Sequence, residues 1–245
     1  MPRYKLTIEY DGGPFVGWQR QDNGPSVQQA LEEAAFRYSG QAVVAHASGR
    51  TDAGVHALGQ VAHIDVARGD RAEKVRDALN AHLRPLPVAI VIAEEVDDEF
   101  HARFSCRERS YIYRVLNRRS PPALESGRVW WVSRPLDAEA MHAAAQELVG
   151  SHDFTSFRAK ECQANSPLKT LDELVVTRRG EEIEIYARAR SFLHHQVRNM
   201  VGTLAVAGQG KWSPADVRRI LAARDRAQAG QTAPACGLYF LRAEY

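Results

Sequence analysis

Asp52 lies in the run Gly49-Arg50-Thr51-Asp52-Ala53-Gly54-Val55-His56, with a glycine on either side and an arginine two residues before it. Glycine reaches backbone conformations closed to other residues and lets a ligand approach the main chain. Alternate residues of an extended segment share a side, so an extended approach to Asp52 places Arg50 and Asp52 on one face. A carboxylate beside a cation on a tight loop suits a reaction that needs a nucleophile or an electrostatic stabiliser. Asp next to Gly is also ordinary turn chemistry. Spacing alone therefore leaves a simple turn and a catalytic loop both open, although loops concentrate function.

A second feature is electrostatic. Between residues 101 and 135 stand arginines 103, 107, 109, 114, 118, 119, 128 and 134, against glutamates 108 and 125 only. Tyr111, Tyr113, Trp130 and Trp131 interleave with them. Clustered arginine is a footprint for phosphate backbones; the alternative is a solvated strand surface with ion pairs drawn from elsewhere. The whole chain carries a formal charge of only +2, so global electrostatics say little. Cys106, Cys162 and Cys236 are odd in number, far apart and lack metal-ligand spacing, which fits a reducing cytosol. On a helix, His194 and His195 would point about 100° apart and form no ligand pair, so no metal is expected. The start, Met1-Pro2-Arg3-Tyr4-Lys5, has no secretory apolar core, and the longest apolar run, residues 86–93, is too short to span a bilayer. A cytoplasmic protein without membrane contact is expected.

The elements that must position these residues follow from periodicity. Tyr4, Leu6, Ile8 and Tyr10 alternate with polar residues as in a strand. Ser26 with Gln29 has the spacing of a capping box, opening a helix with the stripe Val27, Ala30, Leu31, Ala34, Ala35 and Tyr38. Residues 42–48 read as a strand into the Asp52 loop, 59–66 as its return, 72–83 as a helix and 88–94 as a strand. The order is β-α-β-β-α-β. The second half repeats it: a strand over 110–117; a helix capped by Asp137 and stopped by Gly150; strands over 171–178 and 182–190 turning at Gly180; a helix over 193–207; a further helix opened by Ser213-Pro214; and a strand over 237–245. Residues 151–169 have little periodicity and read as a surface insertion. Two such halves predict an α+β protein of two tandem ferredoxin-like units, 1–105 and 106–245. Joined edge to edge they would form an extended, mostly antiparallel sheet with helices on one face and a central cleft.

Five ordered blocks carry a family likeness. They are the Asp52 octet; Tyr10-Asp11-Gly12 with Phe15, Gly17-Trp18-Gln19 and Gln21; Arg109-Ser110-Tyr111-Ile112-Tyr113; Phe192-Leu193-His194-His195-Gln196-Val197-Arg198-Asn199-Met200-Val201-Gly202; and Pro234 with Gly237-Leu238. Together they resemble the TruA family of tRNA pseudouridine synthases over nearly the whole chain. The resemblance implies the same two-unit architecture and an isomerase that turns uridine into pseudouridine at positions 38–40 of the tRNA anticodon stem-loop. It implies a homodimer and a reaction without cofactor or metal. It makes Asp52 the catalytic residue. Tyr111 would stack on the target base and is a candidate for the C5 proton transfer. Arg50 would help displace the target nucleotide, Leu238 would line the base pocket, and Arg198 would be the charge partner of Asp52.

Each assignment has a plainer reading. Tyr113 reads as core, Phe15 and Trp18 as cleft or as packing under a loop, and Arg198 as a buried partner or a helix-surface charge. The chain departs from the family in having one proline before Gly237-Leu238, where many members have two, and in His-His-Gln at 194–196. Two rival functions remain open. A non-catalytic RNA-binding protein would keep the basic cleft without turnover. A nucleoside hydrolase would usually need a second carboxylate or a metal, and neither is evident near Asp52; its activity on a neutral nucleoside would not fall steeply with salt as RNA binding does.

Overall fold

A computed structural model describes all 245 residues, in the order β-α-β-β-α-β for the first half and a more elaborate order for the second. The chain forms two compact units, residues 1–107 with 239–245, and residues 108–238. The fold is α+β, with ten strands paired mostly antiparallel and five α-helices.

In the first unit, β1 (Arg3–Tyr10) lies between β4 (Val88–Val96) and β3 (His56–Asp65), antiparallel to both. Its alternation is the one its sequence predicts: Tyr4, Leu6, Ile8 and Tyr10 are buried. Helix α1 (Val27–Ser39) buries the expected stripe, each large aliphatic side chain contributing about 1.5–3 kcal/mol. Only half of its capping box forms. Ser26 accepts from the Gln29 N–H, while the Gln29 side chain turns to Glu33 instead. Gly40, at φ +73°, ends the helix by donating its N–H to the Phe36 carbonyl. Helix α2 (Ala72–Leu83) packs on α1 and on β4. The strand expected over 42–48 is reduced to β2 (His46–Ala47).

The last strand, β10 (Leu238–Glu244), follows the second half in sequence, yet Tyr239–Tyr245 cluster with the first unit. Two contacts explain this. Tyr239 and Phe240 pair in parallel with His56 and Ala57, and the Tyr239 ring stacks on His56 at 4.7 Å. Gly59 leaves room for the strand, since a Cβ there would meet the Leu241 carbonyl at 2.7 Å.

In the second unit, β5 (Glu108–Leu116), β9 (Glu182–Ala189), β8 (Leu168–Arg179) and β7 (Gly150–Asp153) pair in that order, with β6 (Trp130–Trp131) beside β5. Gly180, at φ +63°, turns the β8–β9 hairpin. Helix α3 (Ala138–Gln146) is capped by Asp137 as expected but ends before Gly150, which opens β7 instead. It packs on β8, on α4 (Gln196–Gly208) and on α5 (Pro214–Ala223). The Ser213–Asp216 capping box of α5 is complete. The expected surface insertion over 151–169 needs correction: Phe154, Ser156 and Phe157 are fully buried, and Ser156 bonds the Ile220 carbonyl at 2.6 Å. Its aromatic residues anchor it without any regular period.

Candidate active site

The Asp52 loop is braced from three sides within the first unit. Residues 17 and 52 form a short antiparallel bridge, and the Trp18 N–H donates to the Thr51 carbonyl at 3.0 Å. Gly17 allows this approach: its φ is +113°, and a Cβ would stand 2.6 Å from the Thr51 oxygen. The second brace is Tyr10, whose hydroxyl meets Thr51 Oγ1 at 2.8 Å. Burial pushes that phenol up to about 12, so it stays a neutral hydrogen-bonding group at physiological pH. The third brace is Gln60, fully buried on β3. Its amide donates to the Gly49 carbonyl at 2.9 Å and accepts from Ser48 Oγ at 2.7 Å. After Asp52 the chain turns at Gly54 (φ +76°), and the Val55 N–H closes on the Asp52 carbonyl at 3.1 Å. Asp52 is half-buried and Arg50 exposed.

The loop at Gly12 and Gly13 backs this arrangement. A Cβ on Gly12 would overlap the Val55 carbonyl at 2.0 Å, and its N–H donates to His56 Nδ1 at 3.1 Å. Phe15 and Trp18 are nearly fully buried, which fits packing under the loop.

The second unit carries a different cluster. Arg198 lies on α4, half-buried, its Nε donating to the Ala233 carbonyl at 2.8 Å while the Ala233 N–H donates to the Arg198 carbonyl at 3.1 Å. One turn along the helix, Gly202 lets residues 230–233 press onto α4; a Cβ there would overlap the Gln231 carbonyl at 1.7 Å. Asn199, fully buried, ties this segment together. Its amide donates to the Phe157 carbonyl at 2.8 Å and accepts from Thr232 Oγ1 at 2.7 Å and Arg226 at 3.1 Å. Thr203 Oγ1 accepts from the Gly230 N–H.

Tyr111 and Tyr113 both lie on β5. The Tyr111 ring is largely buried, with Phe192 edge-on at 5.1 Å. Tyr113 is core: fully buried, its hydroxyl donates to the Pro234 carbonyl at 2.7 Å, and burial raises its pKa strongly. Gly237 packs against its ring, and Leu238 is buried next in sequence. Burial also raises the Cys236 thiol, opposed by the positive charge of Arg198.

Of the expected site residues, Arg50 and Asp52 stand two apart on one loop of the first unit. Tyr111, Arg198 and Leu238 belong to the second, where Tyr113, Pro234 and Ala233 link the last two. The expectation for His194 and His195 needs correction. The helix begins at Gln196, and His195 takes a left-handed conformation (φ 62°), so the two rings lie 4.0 Å apart rather than diverging. Tyr10, Gln60 and Asn199 are positioning residues to which the sequence reading gave no such role, although Tyr10 and Asn199 stand inside the quoted family blocks. Their signal in the sequence is a polar group at a position the periodicity makes inward-facing. Gln196 shares it: its Oε1 accepts from the Leu193 N–H at 2.8 Å, while its buried amide nitrogen has no partner.

The family model described as tRNA pseudouridine synthase matches residues 6–105 and 144–245. A tRNA pseudouridine synthase A of Rhodospirillum centenum is 66% identical over 245 residues, the whole of both chains. The proteins of the same name in Rhodospirillum rubrum and Paramagnetospirillum magneticum are 64% and 62% identical over the whole of this chain, covering 88% and 96% of their own lengths. The chain belongs to the tRNA pseudouridine synthase family. It is therefore an isomerase. The matched residues include Arg50, Asp52, Arg198 and Leu238; Tyr111 and most of the arginine-rich segment lie between the two matched stretches. No helix is long and apolar enough to cross a membrane.

Proposed function

We propose that the chain converts uridine to pseudouridine at positions 38–40 of the tRNA anticodon stem-loop, as a cytoplasmic homodimer, with Asp52 as the catalytic residue. The observation that carries this reading is the full-length likeness, at 66% identity, to a protein named tRNA pseudouridine synthase A. The braced Asp52 loop supports it. A carboxylate that must act at one atom of the substrate gains from a backbone that cannot wander, since misplacement of about 1 Å can cost about a hundredfold in rate. Two-fold dimers are the commonest oligomers, which agrees with the homodimer.

The chemistry is balanced without a redox partner. The C1′–N1 bond of uridine breaks, the uracil turns, C1′ bonds C5, the C5 proton leaves and N1 takes up a proton. Nothing is oxidised and no group is added, so neither cofactor nor metal is needed. Asp52 supplies the negative charge required during transfer, and Arg198 a cation to balance it. Tyr111 supplies a base-stacking face, worth about 1–3 kcal/mol, with Phe192 edge-on to its ring and its hydroxyl a candidate for the C5 proton transfer. Arg50, exposed, occupies the place of the displaced nucleotide. Extrusion costs a few kcal/mol and is cheapest where bases are already unpaired, as in a loop. Leu238 gives the uracil an apolar wall.

Transfer RNA labelled with tritium at uracil C5 tests the reading. Release of tritium to water in the presence of EDTA and without added cofactor, with pseudouridine mapped to 38–40, is expected. Release of free uracil would make the protein a hydrolase. Binding without release would make it a non-catalytic binder, and product outside 38–40 would overturn the assigned positions.

A further inference from the structure

The arginine-rich segment 101–135 is only partly consumed by the fold. Arg114 is neutralised, forked onto Glu182 at 2.5 and 3.1 Å and reaching Glu125 at 3.0 Å. Arg118 pairs with Glu181 at 3.0 Å. Arg119, the next residue, is exposed and makes neither hydrogen bond nor ion pair. A third cation joins these two from β8. Arg178 bonds only neutral oxygens: Asn117 Oδ1 at 2.9 Å and the carbonyls of Leu136 at 2.6 Å and Gly180 at 3.3 Å. Arg118, Arg119 and Arg178 line one open cavity of about 620 Å³ together with Asn117 and Ser133, and no carboxylate lines it.

The wall of this cavity is prebuilt. The Asn117 amide donates to the carbonyls of Val132 at 2.9 Å and Arg134 at 2.7 Å, and it accepts from the Leu136 N–H at 3.0 Å. Trp131 Nε1 donates to the Arg118 carbonyl at 2.9 Å. Two guanidinium groups without carboxylate partners, beside a hydroxyl and on a fixed frame, match an anion with several acceptor oxygens. Arginine forks bind phosphate oxygens two at a time, with geometric selectivity. Asn117 stands six residues beyond Tyr111 on the line of β5, which sets the cavity about 20 Å from that ring.

We propose that the cavity lined by Arg118, Arg119 and Arg178 is a phosphodiester site that grips the RNA backbone about 20 Å from the base stacked on Tyr111. This rests on the reading of RNA as the substrate. The contact would position the substrate without reading its sequence, as phosphate contacts do.

The test uses the full-length protein and unmodified tRNA. Arg119→Glu is the main variant because nothing in the fold holds that side chain. Arg178→Lys is the second, since it keeps a charge where deletion could unseat Leu136. Lys211→Glu, an exposed charge reversal outside the cavity, is the control. Arg119→Glu is expected to weaken tRNA binding about tenfold, to raise KM in step, and to lower the slope of log K against log salt by about 1. Arg178→Lys is expected to weaken binding about threefold, and Lys211→Glu to change it less than twofold. Wild-type affinity and salt slope in Arg119→Glu would overturn the site, as would equal losses in Arg119→Glu and Lys211→Glu. Inorganic phosphate alone separates the two sources of the ligand. Submillimolar phosphate binding that is lost in Arg119→Glu, with tRNA affinity intact, would make this a free-phosphate site and also overturn the proposal. Failure of the wild-type protein to act on tRNA at all would instead count against the proposed function.

Discussion

The Asp52 loop of the first unit and the α4 segment around Arg198 in the second solve the same problem by different means. The loop is held at several separate points, by main-chain bonds from Trp18 and Val55 and by two buried side chains, Tyr10 and Gln60. Gly17 and Gly54 take conformations that admit close backbone approach, and Trp18, Val55 and Gln60 fasten carbonyls within a few residues of Asp52. Around Arg198 the holding is done by side chains. Asn199 gathers Phe157, Arg226 and Thr232, drawn from three stretches of sequence, and Gly202 merely clears the way. A loop fastened at several independent points tolerates the loss of one; a segment gathered by one buried amide depends on that amide.

The largest effects should come from the two glycines. Gly17→Ala and Gly202→Ala should each cost about 3 kcal/mol or more in urea unfolding, because each Cβ meets a carbonyl oxygen. If the contrast is right, Gly17→Ala also removes activity in the protein that remains folded, since it displaces Thr51 directly. Near-wild-type stability for Gly202→Ala would show residues 230–233 to be loosely held. Next, Asn199→Ala should cost about 2–3 kcal/mol, as it strands buried partners. Tyr10→Phe, its counterpart at the loop, should cost only about 1 kcal/mol by the same measurement, because other braces remain.

A pH effect should follow in the first unit. Buried His63 is held down to about 4, first by burial and then by Arg3, His101 and His46, with Asp65 opposing. An unfolded histidine titrates near 6.5. Above pH 6.5 the ring is neutral in both states and its contribution is whole. Between pH 6.5 and 4 the unfolded chain takes up a proton that the fold refuses, so stability falls by about 1–2 kcal/mol. His63→Asn keeps an acceptor for the Ala102 N–H, now bonded to Nδ1 at 3.1 Å, and should flatten that slope. The smallest effect belongs to Arg218→Ala. Its exposed pair with Glu147, at 2.6 and 2.8 Å, is screened by solvent, so the urea midpoint should not move measurably.

The same contrast governs what the sequence made legible. Asp52 stood out because its glycines are neighbours, and α1 because its stripe is local. The Asn199 hub was invisible, since residues 157, 226 and 232 carry no mark of meeting at 199. Residues 151–169 looked like an insertion because Phe154 and Phe157 anchor it by size rather than by period. The paired rings of His194 and His195 depend on one left-handed residue, a conformation uncommon outside glycine even though histidine is among the types enriched there. The return of β10 to the first unit depends on Gly59 and His56, far upstream of it in the chain.

The central claim is that the carboxylate of Asp52 is indispensable to the chemistry and not to folding. Single-turnover release of C5 tritium from tRNA by Asp52→Asn, with tRNA binding measured on the same protein, tests it most directly. Binding within about threefold of wild type, with release lowered by at least about 10⁴-fold, is expected, since the isosteric amide keeps the loop and loses the charge. Release by the Asn variant at the wild-type rate would contradict the account.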